Sequence, residues 1–386
     1  MNPTEIIYLD HAAATPLDEQ VLEAMTPYLT SKFYNPSSPY LPALEVRRQY
    51  NAAKDRLAQT FGARGDEVVM TAGATESINL ALSSIGGHIV TSEIEHHSVL
   101  KTAERFNHSL VKANSKGLIN PDDIKKAIRP DTRIVSIALV NNELGTIQPL
   151  AAIAKIVKDE RQRRLELGDA TPIYLHSDAS QGAGLIDIHV ARLGVDLLTL
   201  NAGKVYGPKQ VGLLWVKPGV ELSPVVSGGG QERGLRSGTE NVAGVIGFAA
   251  ALEMATAKRN SETKRLMTLR DNLQKSLTDR FEQAVISGSK KRQLANFLHI
   301  SFPGLDAERL IFRLEARGVM VATGSACAAN MGTRSHVLNS IGMEPAVADG
   351  SLRITLGKLS NEDNMTKASQ ILIDEISAEI DRGGAV

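Results

Sequence analysis

Short β-branched runs alternate with amphipathic stretches along the first two thirds of the chain. Glu67 to Thr71, His88 to Thr91, Arg133 to Val140, Ile173 to Ser177, Asp196 to Leu200 and Val211 to Val216 each read as a strand. Such near-continuous apolar runs suit strands covered on both faces, so the pattern predicts an α/β fold with a mainly parallel sheet flanked by helices. Several runs end in polar or small residues, and ligands of open α/β sheets are met beyond the carboxyl ends of the strands. From Ala257 to Gln283 the sequence turns helical and charged, with Leu266, Leu269, Leu273 and Leu277 on one face. Beyond it, Phe297 to Phe302 and Ser351 to Leu356 read as strands. Asn361 to Ile380 reads as a last helix, with Ser360 and Asp363 as candidates for its N-cap. We therefore expect a large domain over residues 16–257 and a smaller α+β domain built from residues 1–15 and 258–386.

Length supports that division, since 386 residues exceed what one domain usually holds. Lys plus Arg and Asp plus Glu each number 43, so no net field draws in nucleic acid or an anionic membrane, and neither is expected as a partner. The single cysteine, Cys327, forbids an internal disulfide and a cysteine-rich metal site, which suits a cytoplasmic location. Met1 to Leu9 lacks a basic segment followed by an apolar one, and the apolar stretch Val245 to Leu252 is too short to cross a bilayer. The basic clusters Lys290-Lys291-Arg292 and Arg161, Arg163, Arg164 read as solvated charge.

Four features could carry chemistry. Met70 to Ser77 runs from a strand through Gly73, Ala74 and Thr75 towards a helix beginning near Ile78; free N–H groups and the Thr75 hydroxyl could hold a phosphate there, or the stretch is a plain capped helix start. Asp178 and Lys204 each end a strand, with Gln181 between. A pyridoxal phosphate (PLP) enzyme needs a lysine for a Schiff base and an acid beside the pyridine nitrogen, although two strand-end surface charges would read the same. Glu95-His96-His97 follows another strand, where an imidazole could stack on a cofactor or simply cap a helix. Cys327 lies among small residues, Ala322 to Gly332, as a mobile-loop thiol or an inert packed one would. Two further residues point to a carboxylate. Arg353 could grip one through its fork or serve an ion pair, and Asn35 could present an amide or form the turn that Asn-Pro favours.

Taken in order, Gly73-Ala74-Thr75-Glu76-Ser77, Glu95-His96-His97, Asn141-Asn142-Glu143-Leu144-Gly145, Asp178-Ala179-Ser180-Gln181, Lys204-Val205-Tyr206-Gly207-Pro208-Lys209, Arg236-Ser237-Gly238-Thr239 and Gly324-Ser325-Ala326-Cys327 resemble the cysteine desulfurases of the NifS-like group. These are class V aminotransferases of PLP fold-type I, and the match runs from Tyr8 past Arg353. The resemblance implies that Lys204 is the Schiff-base lysine, Asp178 pairs with the pyridinium nitrogen, His96 stacks on the ring, and Asn142 and Gln181 contact its substituents. Thr75 would hold the phosphate, joined by Thr239 from the other subunit of a homodimer, with Ala74 also at the cofactor and Asn201 able to donate one hydrogen bond there. Asn35 and Arg353 would bind the carboxylate of L-cysteine, and Asn142 would be a further substrate-binding residue. Cys327, on a loop at about 322–334, would take the sulfur as a persulfide, leaving L-alanine.

The subgroup with an extended cysteine loop, which this chain resembles, passes sulfur to iron–sulfur scaffold or thiolation proteins. The short tail after the last helix would lack the docking extension of some members. This chain departs from the family before the lysine, where Asn201-Ala202-Gly203 replaces Ser or Thr, any residue, and His, and after the glycine run, where Gln231 replaces His. Two other activities suit the same motifs: a class V lyase acting on selenocysteine or cysteine sulfinate, and a PLP-fold scaffold without turnover.

Overall fold

The computed structural model describes residues 6–324 and 334–383. Twelve strands are found among them: β1 (Ile7–Tyr8), β2 (Val68–Thr71), β3 (His88–Ser92), β4 (His108–Val111), β5 (Thr132–Ser136), β6 (Tyr174–Asp178), β7 (Leu197–Asn201), β8 (Gly212–Val216), β9 (Val285–Ile286), β10 (Phe297–Ser301), β11 (Val319–Met320) and β12 (Ser351–Thr355). The central sheet has the order β2-β8-β7-β6-β5-β3-β4. Its pairs are parallel from β4 to β7, and β8 alone runs against its neighbours β7 and β2. The mainly parallel sheet expected from the apolar runs is therefore present, and the run around Arg133 to Val140 pairs regularly only as far as Ser136. β2, β3 and β8 are buried along their whole length, which is why they read as unbroken apolar segments.

Polar side chains inside this sheet satisfy one another across strands. His88 Nδ1 meets Thr132 Oγ1 at 2.7 Å, and His176 bridges Ser136 Oγ at 2.9 Å and Thr199 Oγ1 at 2.9 Å. Burial alone pushes the His176 imidazole down to about 3, so it stays neutral and can both donate and accept.

The smaller sheet, β12-β10-β9, is antiparallel, and β1 pairs in parallel with β11 beside it. One 39-residue helix, Val242–Arg280, serves both parts: Val245, Phe248 and Leu252 pack into the core around the central sheet, and Leu266, Leu269, Leu273 and Leu277 into the core around β10 and β12. It begins well before Ala257 because Gly244 and Gly247, poor helix formers, allow close approach. A Cβ at Gly247 would lie 2.5 Å from Met25 Sδ, and one at Gly244 2.7 Å from Val211 Cγ2. The last helix, Glu362–Gly383, is capped by Asn361 rather than Ser360: Asn361 Oδ1 accepts from Asn364 N and Asn364 Oδ1 from Asn361 N. Arg164 corrects the reading of its cluster as solvated. It is 1 % exposed and donates to the carbonyls of Thr132, Arg129 and Thr171. Among the described residues no helix is long and apolar enough to cross a membrane.

Candidate active site

The carboxyl ends of β2, β3, β6 and β7 open onto one region. The Ala74–Ile85 helix follows β2 and starts a full turn ahead of the Ile78 start that the sequence pattern predicts. Its N-cap, Gly73, has φ 133°, a conformation that excludes a side chain, and a Cβ there would meet nothing within 4 Å, so it would stand in open cradle space. The N–H groups of Ala74, Thr75 and Glu76 belong to a first turn that has no intrahelical acceptor for them. Gly212 of β8 brings its backbone against Gly73, where a Cβ would come within 2.6 Å of Gly73 Cα. The cradle is lined further by Ala13, Thr75, Asn201, Gly203, Lys204, Lys209 and Gln210.

β7 ends at Asn201, whose Oδ1 accepts the Gly203 N–H at 3.0 Å and so caps the 3-10 turn Ala202–Lys204. That turn delivers Lys204 to the sheet edge. Lys204 Nζ donates to the carbonyls of Ala12 (2.6 Å) and Ala13 (2.7 Å), and Gln181 Nε2 shares the Ala12 oxygen at 3.0 Å. Thr15 fastens the same turn, donating from N and Oγ1 to Gly203 O and accepting the Tyr206 N–H. The segment from Ala12 to Thr15 is the part of the site that sequence reading missed. It works through backbone atoms, and its only signal is the run of small residues after His11.

Asp178 ends β6, half-buried, with Oδ1 accepting the Ser180 N–H at 2.9 Å. His96 caps the His97–Ala103 helix: its Nδ1 accepts the Ser98 N–H at 3.1 Å and lies 2.7 Å from Ser98 Oγ, which puts the ring proton on Nε2. Burial holds this imidazole below its ordinary value. Asp178 pulls the other way and Lys204 pushes it lower still, so Asp178 and Lys204 are the two charges that act on it most. Lys204, Asp178, His96 and Gln181 are thus brought together.

Arg353, in β12, is 2 % exposed. Its Nη2 bonds Asp10 Oδ1 at 2.7 Å and its Nη1 the Asn142 carbonyl at 3.0 Å, while Nε is buried without a partner. Asn35 is exposed, and its Oδ1 accepts the Ser37 N–H at 2.9 Å, the turn geometry of Asn-Pro; its bonds do not reach the Lys204 cluster. Thr239 is exposed on the loop after Gly228–Gly230, which Glu232 anchors by accepting from Tyr50 Oη, Lys54 Nζ and Met70 N. Cys327 lies outside the described residues. Gly324, which precedes that segment, and Ser335, shortly after it, meet at the buried Glu143: Ser335 Oγ donates to Glu143 Oε2, and a Cβ at Gly324 would sit 3.4 Å from the same oxygen.

The Aminotransferase class-V family model matches residues 7–367. The chain belongs to the class-V aminotransferase family. Within it, the chain is 39 % identical to the cysteine desulfurase IscS of Dictyoglomus turgidum, covering 95 % of this chain and 93 % of that protein. It is 36 % identical to the cysteine desulfurase IscS of Methanosarcina thermophila, over 95 % and 91 %. Among solved structures, a NifS-like protein superposes with a TM-score of 0.88 at 32 % identity, covering 96 % of this chain and 99 % of that one. SspA in complex with cysteine superposes with a TM-score of 0.76 at 33 % identity, over 90 % and 98 %. The class-V family implies PLP, and the residues here suit it: an open N–H cradle for a phosphate, an acid at one strand end and a primary amine at the next.

Glu95, next to His96, is buried and accepts from Ser92 Oγ (2.7 Å) and Ala138 N (3.0 Å). Burial pushes its carboxyl up to about 8, against those two bonds and with the Asp178 charge adding to the rise. The folded protein then keeps a proton that the unfolded chain releases near 4.5, so this group makes stability fall as pH rises from 4.5 to about 8. Glu95→Gln cannot ionise. Relative to wild type it is expected to gain ~1.4 kcal/mol per pH unit across that window, read as a widening difference in unfolding midpoint. A difference that is constant with pH would show Glu95 ionised in the folded state.

Proposed function

We propose that this protein is a PLP-dependent cysteine desulfurase that converts L-cysteine to L-alanine and leaves the sulfur as a persulfide on Cys327. The observation that carries this reading is the convergence of Lys204, Asp178 and His96 at the carboxyl edge of a sheet whose chain aligns with cysteine desulfurases over 95 % of its length. The balance is simple: the C–S bond of cysteine breaks, an S–S bond to Cys327 forms, and the proton from the Cys327 thiol is matched by one delivered to the former Cβ.

PLP, when bound, supplies an electron-withdrawing ring that takes up the electron pair released at Cα. The chain's own residues do the rest. Ala74, Thr75 and Asn201 hold the phosphate end, with Thr239 of a second subunit. Asp178 keeps a positive charge at the far end of the ring, and His96 covers its face with Asn142 and Gln181 at the edge. Lys204 moves the Cα proton. Arg353 and Asn35 orient the substrate carboxylate, which takes the place of Asp10 on the Arg353 fork. The Cys327 thiolate attacks the substrate sulfur.

A homodimer is supported by the exposed apolar side chains Leu29, Phe33 and Leu41, and by Val225 and Val226 on the segment leading to Thr239. A cytoplasmic iron–sulfur scaffold or thiolation protein is the acceptor that the resemblance suggests. The test is the purified protein with L-cysteine and a reductant. Equal alanine and sulfide are expected, together with one extra sulfur on the Cys327 peptide by mass spectrometry before reduction. Release of alanine from cysteine sulfinate or selenocysteine but not from cysteine would overturn this substrate assignment.

A further inference from the structure

The phosphate cradle carries an imbalance. A phosphate at the Ala74–Ile85 helix start would lie beside Glu76, which also lines the cradle. Glu76 is partly compensated: Oε2 accepts the Ala72 N–H at 2.9 Å and Oε1 meets Arg236 Nε at 2.8 Å. Asn201 spends its carbonyl oxygen on the Gly203 N–H, and Gly203 has no side chain to offer. Among the described lining residues the cations are Lys204 and Lys209. Lys204 is committed to the Ala12 and Ala13 carbonyls and to the chemistry.

The turn that presents Lys209 is rigid and strained. Pro208 fixes φ on one side, while Tyr206 (φ 63°) and Gln210 (φ 59°) both adopt the left-handed conformation that non-glycine residues rarely take. Such strain is retained where it aims a side chain, and here Lys209 and Gln210 both face the cradle. Lys209 Nζ donates to the Thr15 carbonyl, the residue that also ties down Gly203 and Tyr206. An ammonium has three donors, so that tether fixes its position and leaves others for a ligand.

We propose that Lys209 is the cationic phosphate-binding residue of this site and serves where Gly203 leaves the cradle without an imidazole. The proposal rests on the PLP reading above. Its test uses the apoprotein and equilibrium dialysis with two ligands, PLP and unphosphorylated pyridoxal. Lys209→Gln retains a donor for Thr15 but no charge, and Lys209→Arg retains charge. Lys209→Gln is expected to weaken PLP by about 10-fold or more, with pyridoxal changed by less than about 2-fold, and Lys209→Arg to restore most of the PLP affinity. Inorganic phosphate alone should raise the unfolding midpoint of the wild-type apoprotein and fail to raise that of Lys209→Gln. Equal weakening of both ligands, or of neither, would overturn the role, since a turn that matters only for structure cannot distinguish them. Wild-type protein that binds no PLP would sink the cofactor reading itself, and this proposal with it.

Discussion

Replacing Lys204 with alanine is expected to lower alanine formation from L-cysteine by at least about 1000-fold, because one side chain is asked both to hold the cofactor and to move the Cα proton. The structure gives the residue a defined resting place: its ammonium sits between the Ala12 and Ala13 carbonyls, on a turn capped by Asn201 and pinned by Thr15. Truncation leaves that backbone intact, so the loss should come without a matching loss of fold, which circular dichroism and the unfolding midpoint would check. Comparison with Cys327→Ala separates the two halves of the reaction. Exchange of the Cα hydrogen of L-alanine with heavy water needs Lys204 and not the thiol. Cys327→Ala should retain that exchange while losing persulfide and alanine formation, and Lys204→Ala should lose both. Persistence of exchange in Lys204→Ala would remove the lysine from proton transfer.

Much of this site was legible in the sequence because the fold writes it at strand ends. Asp178 and Lys204 stand out as charges closing apolar runs, and Gly73 as a break between a strand and a helix. What the sequence concealed is non-local or made of backbone. The carbonyls of Ala12 and Ala13 carry no side-chain signature, yet they hold the lysine and Gln181. Arg164 reads as one more surface charge on a polar helix, and only the fold brings the carbonyls of Arg129, Thr132 and Thr171 around it. The helix from Val242 is hidden by two glycines whose low propensity is overridden by tight packing against Met25 and Val211. Asp10 lies two residues into the resemblance that begins at Tyr8, and no spacing there points to Arg353. Its bond to Arg353 joins the segment before Ala12 to β12, and so sets the lysine's carbonyl cage against the strand that carries the guanidinium.

That bond makes the second prediction. Arg353 is 2 % exposed, its fork divided between Asp10 and the Asn142 carbonyl, and its own backbone pairs with Ala322. Arg353→Leu leaves the Asp10 carboxylate without its partner and the Asn142 oxygen without a donor, and breaking one side of such a buried pair costs about 3 kcal/mol. The unfolding midpoint should fall accordingly. A structural ion pair would do this too, so stability alone does not separate the two readings of Arg353. Asp10→Asn does. If the guanidinium binds the substrate carboxylate, Asp10 competes for the same fork, and weakening that competitor should lower KM for L-cysteine even though the protein loses stability. If Arg353 serves only the ion pair, Asp10→Asn should destabilise and leave KM where it was. Arg353→Lys gives the complementary sign: it keeps the charge but loses the two-pronged geometry, and should raise KM by about 10-fold or more with a smaller effect on kcat. An unchanged KM in both variants would return Arg353 to the role of a strut between β12 and the segment that cages Lys204.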